Sequence, residues 1–157
     1  MAEQFSALSQ YPGRRLSMSN RALKIYLFYC SNSLNAEELS RCRSELKGNQ
    51  LKVISLPCSG KIDIPYLVKA FETGADGVVI VTCEIGQCRH LEGNLRAQKR
   101  AEAVDSLLEE IGMGTGRVVV IQSEEGQAEQ VVGKIKNFCA KINQTKPASV
   151  TAGRRQL

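Results

Sequence analysis

Four short apolar runs alternate along the chain with polar segments that carry apolar residues at helical spacing. The most continuous run contains Val78, Val79, Ile80 and Val81, and such a β-branched run is typical of a strand buried on both faces of a sheet. The other three runs are rich in large apolar residues and alternate more weakly with polar ones. The pattern predicts four strands, over residues 24–29, 51–56, 77–82 and 117–122.

A helical segment follows each predicted strand. Asn35 and Asp63 are suited to cap the first two helices, and glycines at positions 48 and 74 are suited to end them. The third and fourth helices are predicted over residues 91–111 and 125–143. In the third helix we expect an inward face made by Leu95, Ala101, Val104, Leu107 and Leu108.

The alternation of strand and helix predicts an α/β fold with a parallel sheet, because right-handed crossovers join neighbouring parallel strands through helices. We expect a small flavodoxin-like or Rossmann-like three-layer sandwich, with a four-stranded parallel sheet in the order 2-1-3-4. The 157 residues suit one domain. The domain is predicted over residues 23–143, between a flexible N-terminal arm at 1–22 and a flexible C-terminal tail at 144–157.

Four cysteines stand at the carboxyl ends of predicted strands. Cys30 and Cys58 follow the first two strands, and Cys83 and Cys88 share the loop after the third, with Gly86 between them. Carboxyl ends of parallel strands meet at one edge of a sheet, where open α/β folds bind ligands. We therefore expect the four thiols to converge.

Several chemistries remain open for such a set. Four thiolates suit tetrahedral Zn²⁺ or an iron–sulfur cluster, and their spacing does not choose between the two. Simple packing of small buried thiols is the structural alternative, and it is the expected role of Cys42 and Cys139. His90, the one histidine, follows Cys88 by two residues and is a fifth ligand, a proton-coupled neighbour of the site or a surface residue.

Nothing in the sequence favours hydrolysis or nucleotide binding. A lone histidine gives no Ser-His-Asp arrangement. The glycines at 112, 114 and 116 follow a helix, whereas a dinucleotide loop follows a strand.

The net charge of +5 lies mainly outside the predicted domain. Residues 22–146 contain 16 basic and 15 acidic side chains, so the domain is nearly neutral and predicts no nucleic-acid surface. No apolar run approaches the ~20 residues that a membrane span needs, and the first residues lack the apolar core of a signal peptide. The cytoplasm is therefore the expected location, and a disulfide framework is not expected there.

Three motifs together resemble one known family. They are Leu56-Pro57-Cys58-Ser59-Gly60-Lys61-Ile62-Asp63, then Ala70-Phe71-Glu72-x-Gly74-Ala75-Asp76-Gly77-Val78, then Cys83-x4-Cys88 followed by Leu91-Glu92-Gly93-Asn94. The resemblance covers about residues 24–142, and it is to the delta subunit of methyl-viologen-reducing hydrogenase, a family of small hydrogenase iron–sulfur subunits.

The resemblance implies an electron-transfer subunit that catalyses nothing by itself. It implies one [2Fe–2S] cluster, for which the candidate ligands here are Cys30, Cys58, Cys83 and Cys88. The implied partners are a hydrogenase or formate dehydrogenase on one side and a flavin-containing heterodisulfide-reductase-like subunit on the other.

The chain departs from the family pattern at three places. Ser33 stands where a second cysteine of the first loop is expected, Glu84 stands where a histidine is expected, and Cys88-Arg89-His90 replaces a Cys-His-Tyr. These differences support an alternative, in which the chain is a cluster-free or zinc-stabilised structural adaptor of a redox complex.

Overall fold

The computed structural model describes residues 21–124 and 126–145, in which four strands and four α-helices alternate. The strands are β1 (Lys24–Cys30), β2 (Gln50–Leu56), β3 (Gly77–Cys83) and β4 (Val118–Ser123). The helices are α1 (Ala36–Glu45), α2 (Ile64–Glu72), α3 (Gly93–Glu110) and α4 (Ala128–Gln144). A 3₁₀ turn, Ser59–Lys61, lies between β2 and α2.

All four strands are parallel and pair in the order β2-β1-β3-β4, so the predicted fold class and strand order are confirmed. Every residue of β3 is buried, as its continuous β-branched run predicts. The edge strand β2 alternates between partly buried and exposed positions. The cysteine-bearing ends of β1 and β3 are therefore neighbours in the centre of the sheet.

Helices cover both faces of the sheet and make a three-layer sandwich with two cores. On one face, Leu27, Val79 and Val81 share a core with the α4 residues Val131 and Ile135. On the other face, the core joins residues of β1 and β3 to buried residues of α2 and α3, namely Phe28, Val78, Ile80, Leu67, Phe71, Ala97 and Val104. Alternate residues of each central strand thus enter different cores, which fixes the face on which each strand-end side chain lies.

The predicted caps of the first two helices are confirmed. The Asn35 side chain accepts a hydrogen bond from the Glu38 N–H, and the Glu38 carboxylate accepts one from the Asn35 N–H, which completes a capping box. The Asp63 carboxylate accepts a hydrogen bond from the Tyr66 N–H, with Pro65 in the first turn.

The predicted inward face of α3 is wrong at two positions. Leu95 and Leu107 are 42% and 44% exposed. The buried stripe instead consists of Ala97, Ala101, Val104 and Leu108, together with Gly93 and Asn94 at the start of the helix. Two of these residues are alanines, and the two leucines lie outside that stripe on the helical wheel.

The fourth strand begins one residue later than predicted because Arg117 has another role. Its side chain is buried, and its guanidinium donates hydrogen bonds to the Met113 carbonyl at 2.6 Å and the Asp76 carbonyl at 2.9 Å. Arg117 therefore joins the residues before β3 to the turn before β4.

The proposed flexible arm and tail lie almost wholly outside the described residues. At the border of the arm, the Arg21 guanidinium pairs with the Asp76 carboxylate at 3.1 Å. Among the helices of residues 21–124 and 126–145, none has both the length and the apolar character needed to cross a membrane.

Candidate functional site

The four candidate cysteines lie at the carboxyl edge of the sheet. Cys30 is the last residue of β1 and Cys83 is the last residue of β3. Cys58 lies two residues beyond β2, where it caps the 3₁₀ turn, and Cys88 lies in the loop between β3 and α3. Cys30, Cys58 and Cys83 are buried, and Cys88 is half-buried.

Cys58 and Cys88 approach each other although they belong to different loops. Their Sγ atoms are 4.0 Å apart. This contact brings the loop after β2 against the loop after β3, across the end of the central strand β1.

Two glycines make the approach of these loops possible. A Cβ on Gly93 would lie 2.3 Å from the Cys58 Sγ and 3.2 Å from the Cys88 Sγ. A Cβ on Gly60 would lie 2.8 Å from the Gly93 Cα. The shortest of these contacts at each position is too close for any real side chain, so both positions must remain glycine for this packing. Sequence reasoning singled out Gly60 and Gly93 only as parts of motifs, because close approach between distant segments leaves no local signal.

Backbone N–H groups point at two of the sulfur atoms. The Gly60 N–H donates to the Cys58 Sγ at 3.4 Å. Burial alone would raise the pKa of Cys88, but hydrogen bonds from the backbone N–H groups of His90, Asn94 and Gly93 bring that pKa below its ordinary value. Two of these three donors belong to the first turn of α3, where the helix dipole also favours negative charge.

The Cys58 and Cys83 thiols favour their neutral form when they carry no metal. Burial, together with the neighbouring Cys30 and Cys88, raises the pKa of Cys83 to about 12. Burial also raises the pKa of Cys58 above its ordinary value, against the opposing hydrogen bond from Gly60. Metal binding to thiols like these would have to displace their protons.

Two long-range side-chain contacts fix the loops around the thiols. The Asn94 amide donates to the Glu84 carbonyl at 3.1 Å and the Cys83 carbonyl at 3.4 Å, which joins the end of β3 to the start of α3. The Arg100 guanidinium, further along α3, donates to the Gly60 carbonyl at 2.7 Å and the Ile62 carbonyl at 2.5 Å. Sequence reasoning missed both contacts, because their acceptors are distant backbone groups.

A polar cleft of about 570 Å³ opens beside Cys83. The loops after β1, β3 and β4 line it, with Asn35, Glu84, Arg89 and Ser123 among its residues. The cleft leaves the site accessible from the sheet edge.

Two observations suit the Cys58–Cys88 pair to a role as thiolate ligands. The sulfur atoms of Cys58 and Cys88 receive backbone hydrogen bonds of the kind that stabilise thiolates and tune iron–sulfur centres. Only a glycine fits the space between those sulfurs and α3. Within the described part of the chain, no three or more His, Cys, Asp or Glu side chains are grouped so that they could hold a metal ion.

Comparison with known proteins decides the family. The family model for the delta subunit of methyl-viologen-reducing hydrogenase matches residues 25–145, which is more than half of the chain. The chain belongs to this family.

Relatives of this hydrogenase delta-subunit family carry iron–sulfur names. The chain is 32% identical over 102 residues to an F420-non-reducing hydrogenase iron–sulfur subunit of Methanocaldococcus jannaschii, covering 65% of this chain and 76% of the relative. It is 40% identical over 68 residues to the iron–sulfur subunit of the same name from Archaeoglobus profundus, covering 43% of this chain and 50% of the relative.

A third relative has a different architecture. The chain is 27% identical over 97 residues to one of the subunits of the ferredoxin:CoB-CoM heterodisulfide reductase of Methanosarcina mazei. The match covers 62% of this chain but only 12% of that relative. A segment similar to this delta-subunit chain therefore occurs inside a much longer heterodisulfide reductase polypeptide.

The positions that depart from the family pattern have distinct surroundings. Ser33 is buried, and its hydroxyl lies within hydrogen-bond distance of the Cys30 carbonyl at 2.7 Å and the Val81 carbonyl at 3.2 Å. Ser33 therefore joins the ends of β1 and β3 through the backbone. Glu84 and His90 are both exposed. Of the roles considered for His90, the structure therefore agrees with that of a surface residue.

The expectation for the two remaining thiols is confirmed, and the charged residues near the cysteines lie at the surface. Cys42 and Cys139 are buried in the core on the α1–α4 face, as predicted. Lys61 and Arg89 lie in the segments that carry the cysteines. Both are exposed, and Arg89 also lines the cleft.

Proposed function

We propose that this chain is an electron-transfer subunit that holds one [2Fe–2S] cluster on Cys30, Cys58, Cys83 and Cys88. The observation that carries the proposal is the 4.0 Å contact between the Cys58 and Cys88 sulfurs, at the sheet edge where Cys30 and Cys83 end their strands, with backbone N–H groups directed at both of those sulfurs. The iron–sulfur names of the relatives support an iron–sulfur group in general. When bound, such a cluster accepts and releases one electron at a time.

In this function, the residues around the cysteines would fix the positions of the cysteine loops and stabilise negative charge on the sulfurs. Arg100 and Asn94 fix the loops that carry Cys58 and Cys83. The N–H groups at the start of α3 face the Cys88 sulfur, where they would offset the negative charge of a thiolate-bound centre. Cys30 and Cys83 end the two largely buried central strands, and positions fixed in this way change little when an electron arrives.

We further propose that the electrons pass between a hydrogenase or formate dehydrogenase and a flavin-containing heterodisulfide-reductase-like subunit. The family itself supports the hydrogenase side. The matches inside heterodisulfide reductase polypeptides from two Methanosarcina species support the other side, because there a similar segment shares one chain with the rest of that protein. The cytoplasm is the location that suits these roles, and the six free thiols agree with a reducing compartment.

The loop between β3 and α3 supplies a surface for such a partner. Ile85 is 57% exposed and Leu91 is 87% exposed, on either side of the half-buried Cys88. Leu91 also has a φ of 63°, a left-handed conformation that is uncommon for a leucine and costs roughly 1–2 kcal/mol. A strained, exposed apolar residue beside a redox site suggests a contact with a protein partner.

A structural adaptor without a cluster is the second candidate. It is favoured by Ser33, because a serine there cannot replace the cysteine of the family pattern while its hydroxyl is held by backbone carbonyls. Such an adaptor would still use the exposed loop between β3 and α3 for docking.

Anaerobic purification of the native complex tests these proposals together. We expect about two irons and two sulfides per copy of this chain in excess of the cofactors of the other subunits, together with a flavoprotein that co-purifies. Zinc in place of iron, or a complex without metal on this chain after anaerobic reconstitution, would support the adaptor instead.

A further inference from the structure

Two buried hydroxyl groups beside the cysteines have no hydrogen-bond partner. The side chains of Ser59 and Thr82 are both fully buried. Within the described residues, neither the Ser59 Oγ nor the Thr82 Oγ1 contacts a donor or an acceptor. Burying a hydroxyl without a partner is unfavourable, so a pair of such groups at one site requires an explanation.

Thr82 lies next to Cys30 on the same face of the sheet. The parallel register pairs Phe28 with Ile80 and Tyr29 with Val81, so the next pair in the series is Cys30 with Thr82. Side chains of a strand alternate between faces, and Thr82 therefore shares the face of Ile80, which is the α2–α3 face.

Ser59 reaches the same region from another element. It directly follows Cys58 and begins the 3₁₀ turn, in which Gly60 packs against Gly93 at the start of α3. Ser59 is therefore a fully buried residue next to a candidate ligand, in the turn that packs against the start of α3.

We propose that the hydroxyls of Ser59 and Thr82 donate hydrogen bonds to the sulfur atoms of the metal–sulfur group and thereby raise its reduction potential. This inference rests on the proposed function. Reduction adds negative charge to the sulfurs, so a donor stabilises the reduced state more than the oxidised state. Two donors that have no other partner are free to take this role.

Ser33 provides a matched control, because it is a third buried hydroxyl at the same sheet edge. Its hydroxyl proton is already engaged by the carbonyls of Cys30 and Val81, at 2.7 and 3.2 Å. It therefore has no proton to offer to a sulfur atom.

Redox titration of the cluster-loaded protein, followed by electron paramagnetic resonance, tests the inference. At a fixed applied potential we expect Ser59→Ala and Thr82→Val each to lower the ratio of reduced to oxidised protein about fivefold, the effect of losing one ordinary hydrogen bond. Since a tenfold change corresponds to about 59 mV for a one-electron couple, the expected shift is about −40 mV. Ser33→Ala should change the ratio less than about twofold, because it removes no hydrogen bond to a sulfur.

Thr82→Ser separates the hydroxyl from the packing of the methyl group. It keeps the donor, so the ratio should return to within about twofold of the native value. Resonance Raman spectra of the native protein should also show iron–sulfur bands that shift between H₂O and D₂O, and Thr82→Val should reduce that shift.

Distinct outcomes would overturn the two proposals. Native potentials in Ser59→Ala and Thr82→Val, with the cluster spectrum retained, would refute the inference alone. An equal shift in Ser33→Ala would do the same, because it would reveal a general packing effect. Native protein that never binds iron would refute the proposed function, and with it the inference.

Discussion

At the scale of single residues, the packing around Cys58 and Cys88 depends on a glycine, because only a residue without a side chain fits beside their sulfurs. Gly93 brings α3 against the sulfurs of Cys58 and Cys88, and a Cβ at that position would overlap the Cys58 Sγ at 2.3 Å. The candidate cysteines could be identified in the sequence because they follow predicted strands. The requirement for glycine at position 93 could not be identified there, because it depends on packing between segments that are distant in the sequence.

Replacement of Gly93 by alanine tests this packing. We expect Gly93→Ala to destabilise the protein by about 2 kcal/mol, which is typical of overpacking a filled site, and to lower the iron bound per chain. Gly133→Ala is the control, because that glycine lies within α4 with no atom near its Cβ position. Alanine there should stabilise the helix by about 0.5–1 kcal/mol. Iron content and denaturant unfolding measure both effects, and full iron occupancy in Gly93→Ala would contradict the packing argument.

The hydrogen bonds to Cys88 predict an order of thiol reactivity in cluster-free protein. The lowered pKa of Cys88 and its partial exposure should make it the thiol that iodoacetamide modifies first at about pH 8. Cys83 and Cys139 should react slowest, because burial raises their pKa values to about 12 and about 11.

The contribution of Cys88 to the stability of the folded state depends on pH, and the sign of this dependence follows from its lowered pKa. A lowered pKa favours the thiolate in the folded state, so Cys88 adds stability above the ordinary thiol pKa, and this contribution is lost as the pH falls through the lowered value. The alkylation rate should fall over the same range. Mass spectrometry of partially alkylated protein identifies the modified residues, and modification of Cys139 before Cys88 would contradict the assignment.

At the scale of elements, the strands followed from the sequence more reliably than the helix faces. The β-branched run of β3 correctly predicted its burial on both faces. Asn35 and Asp63 correctly predicted where α1 and α2 begin. The face of α3 followed only in part: Ala101, Val104 and Leu108 are buried as predicted, whereas Leu95 and Leu107 are exposed and Ala97 is buried in addition. Hydrophobicity alone does not identify a buried position that is occupied by a small residue such as Ala97.

The link between α3 and the 3₁₀ turn can be tested through Arg100. Arg100→Met removes the donors to the Gly60 and Ile62 carbonyls while keeping a long side chain. We expect a loss of about 1–2 kcal/mol in the free energy of unfolding, and a less stable metal site, because the turn that carries Cys58 is released. Arg96→Met, at an exposed position of the same helix, is the control. Equal unfolding and equal rates of iron loss to a chelator in the two variants would rule out this role of Arg100.

At the scale of the whole molecule, the four candidate cysteines lie at one edge of the sheet, with the exposed loop between β3 and α3 beside them. Two cores, one on each face, hold the sheet, and the cysteine loops project from its carboxyl edge. The placement of the four candidate cysteines at one edge of the sheet was predictable from parallel topology. The exposed loop around Leu91 was not, because backbone strain is not visible in a sequence.

Substitutions of Leu91 and Arg89 test whether the exposed loop between β3 and α3 binds the partner. Leu91→Asn relieves the left-handed strain, since asparagine tolerates that conformation, and should stabilise the isolated protein by about 0.5–1 kcal/mol. The same change should weaken binding to the flavoprotein partner.

Arg89→Glu should also weaken binding or slow electron transfer, more strongly at low salt, if the partner surface is acidic.

Ile111→Asn provides the matched control for docking. Ile111 is 69% exposed and follows the carboxyl end of α3, opposite the end that faces the cysteines. Binding by Ile111→Asn should equal that of the native protein when titrated with purified partner. Unchanged affinity in Leu91→Asn and Arg89→Glu across a range of salt would place the interface elsewhere.

The most direct test of the central claim is electron paramagnetic resonance of the dithionite-reduced protein after anaerobic reconstitution. We predict the signal of one [2Fe–2S]⁺ centre per chain in the native protein and in Cys42→Ser and Cys139→Ser, whose thiols belong to the core. Cys83→Ala and Cys88→Ala should lose or degrade that signal. A native protein without the signal, or a signal abolished by Cys42→Ser and retained in Cys83→Ala, would contradict the account.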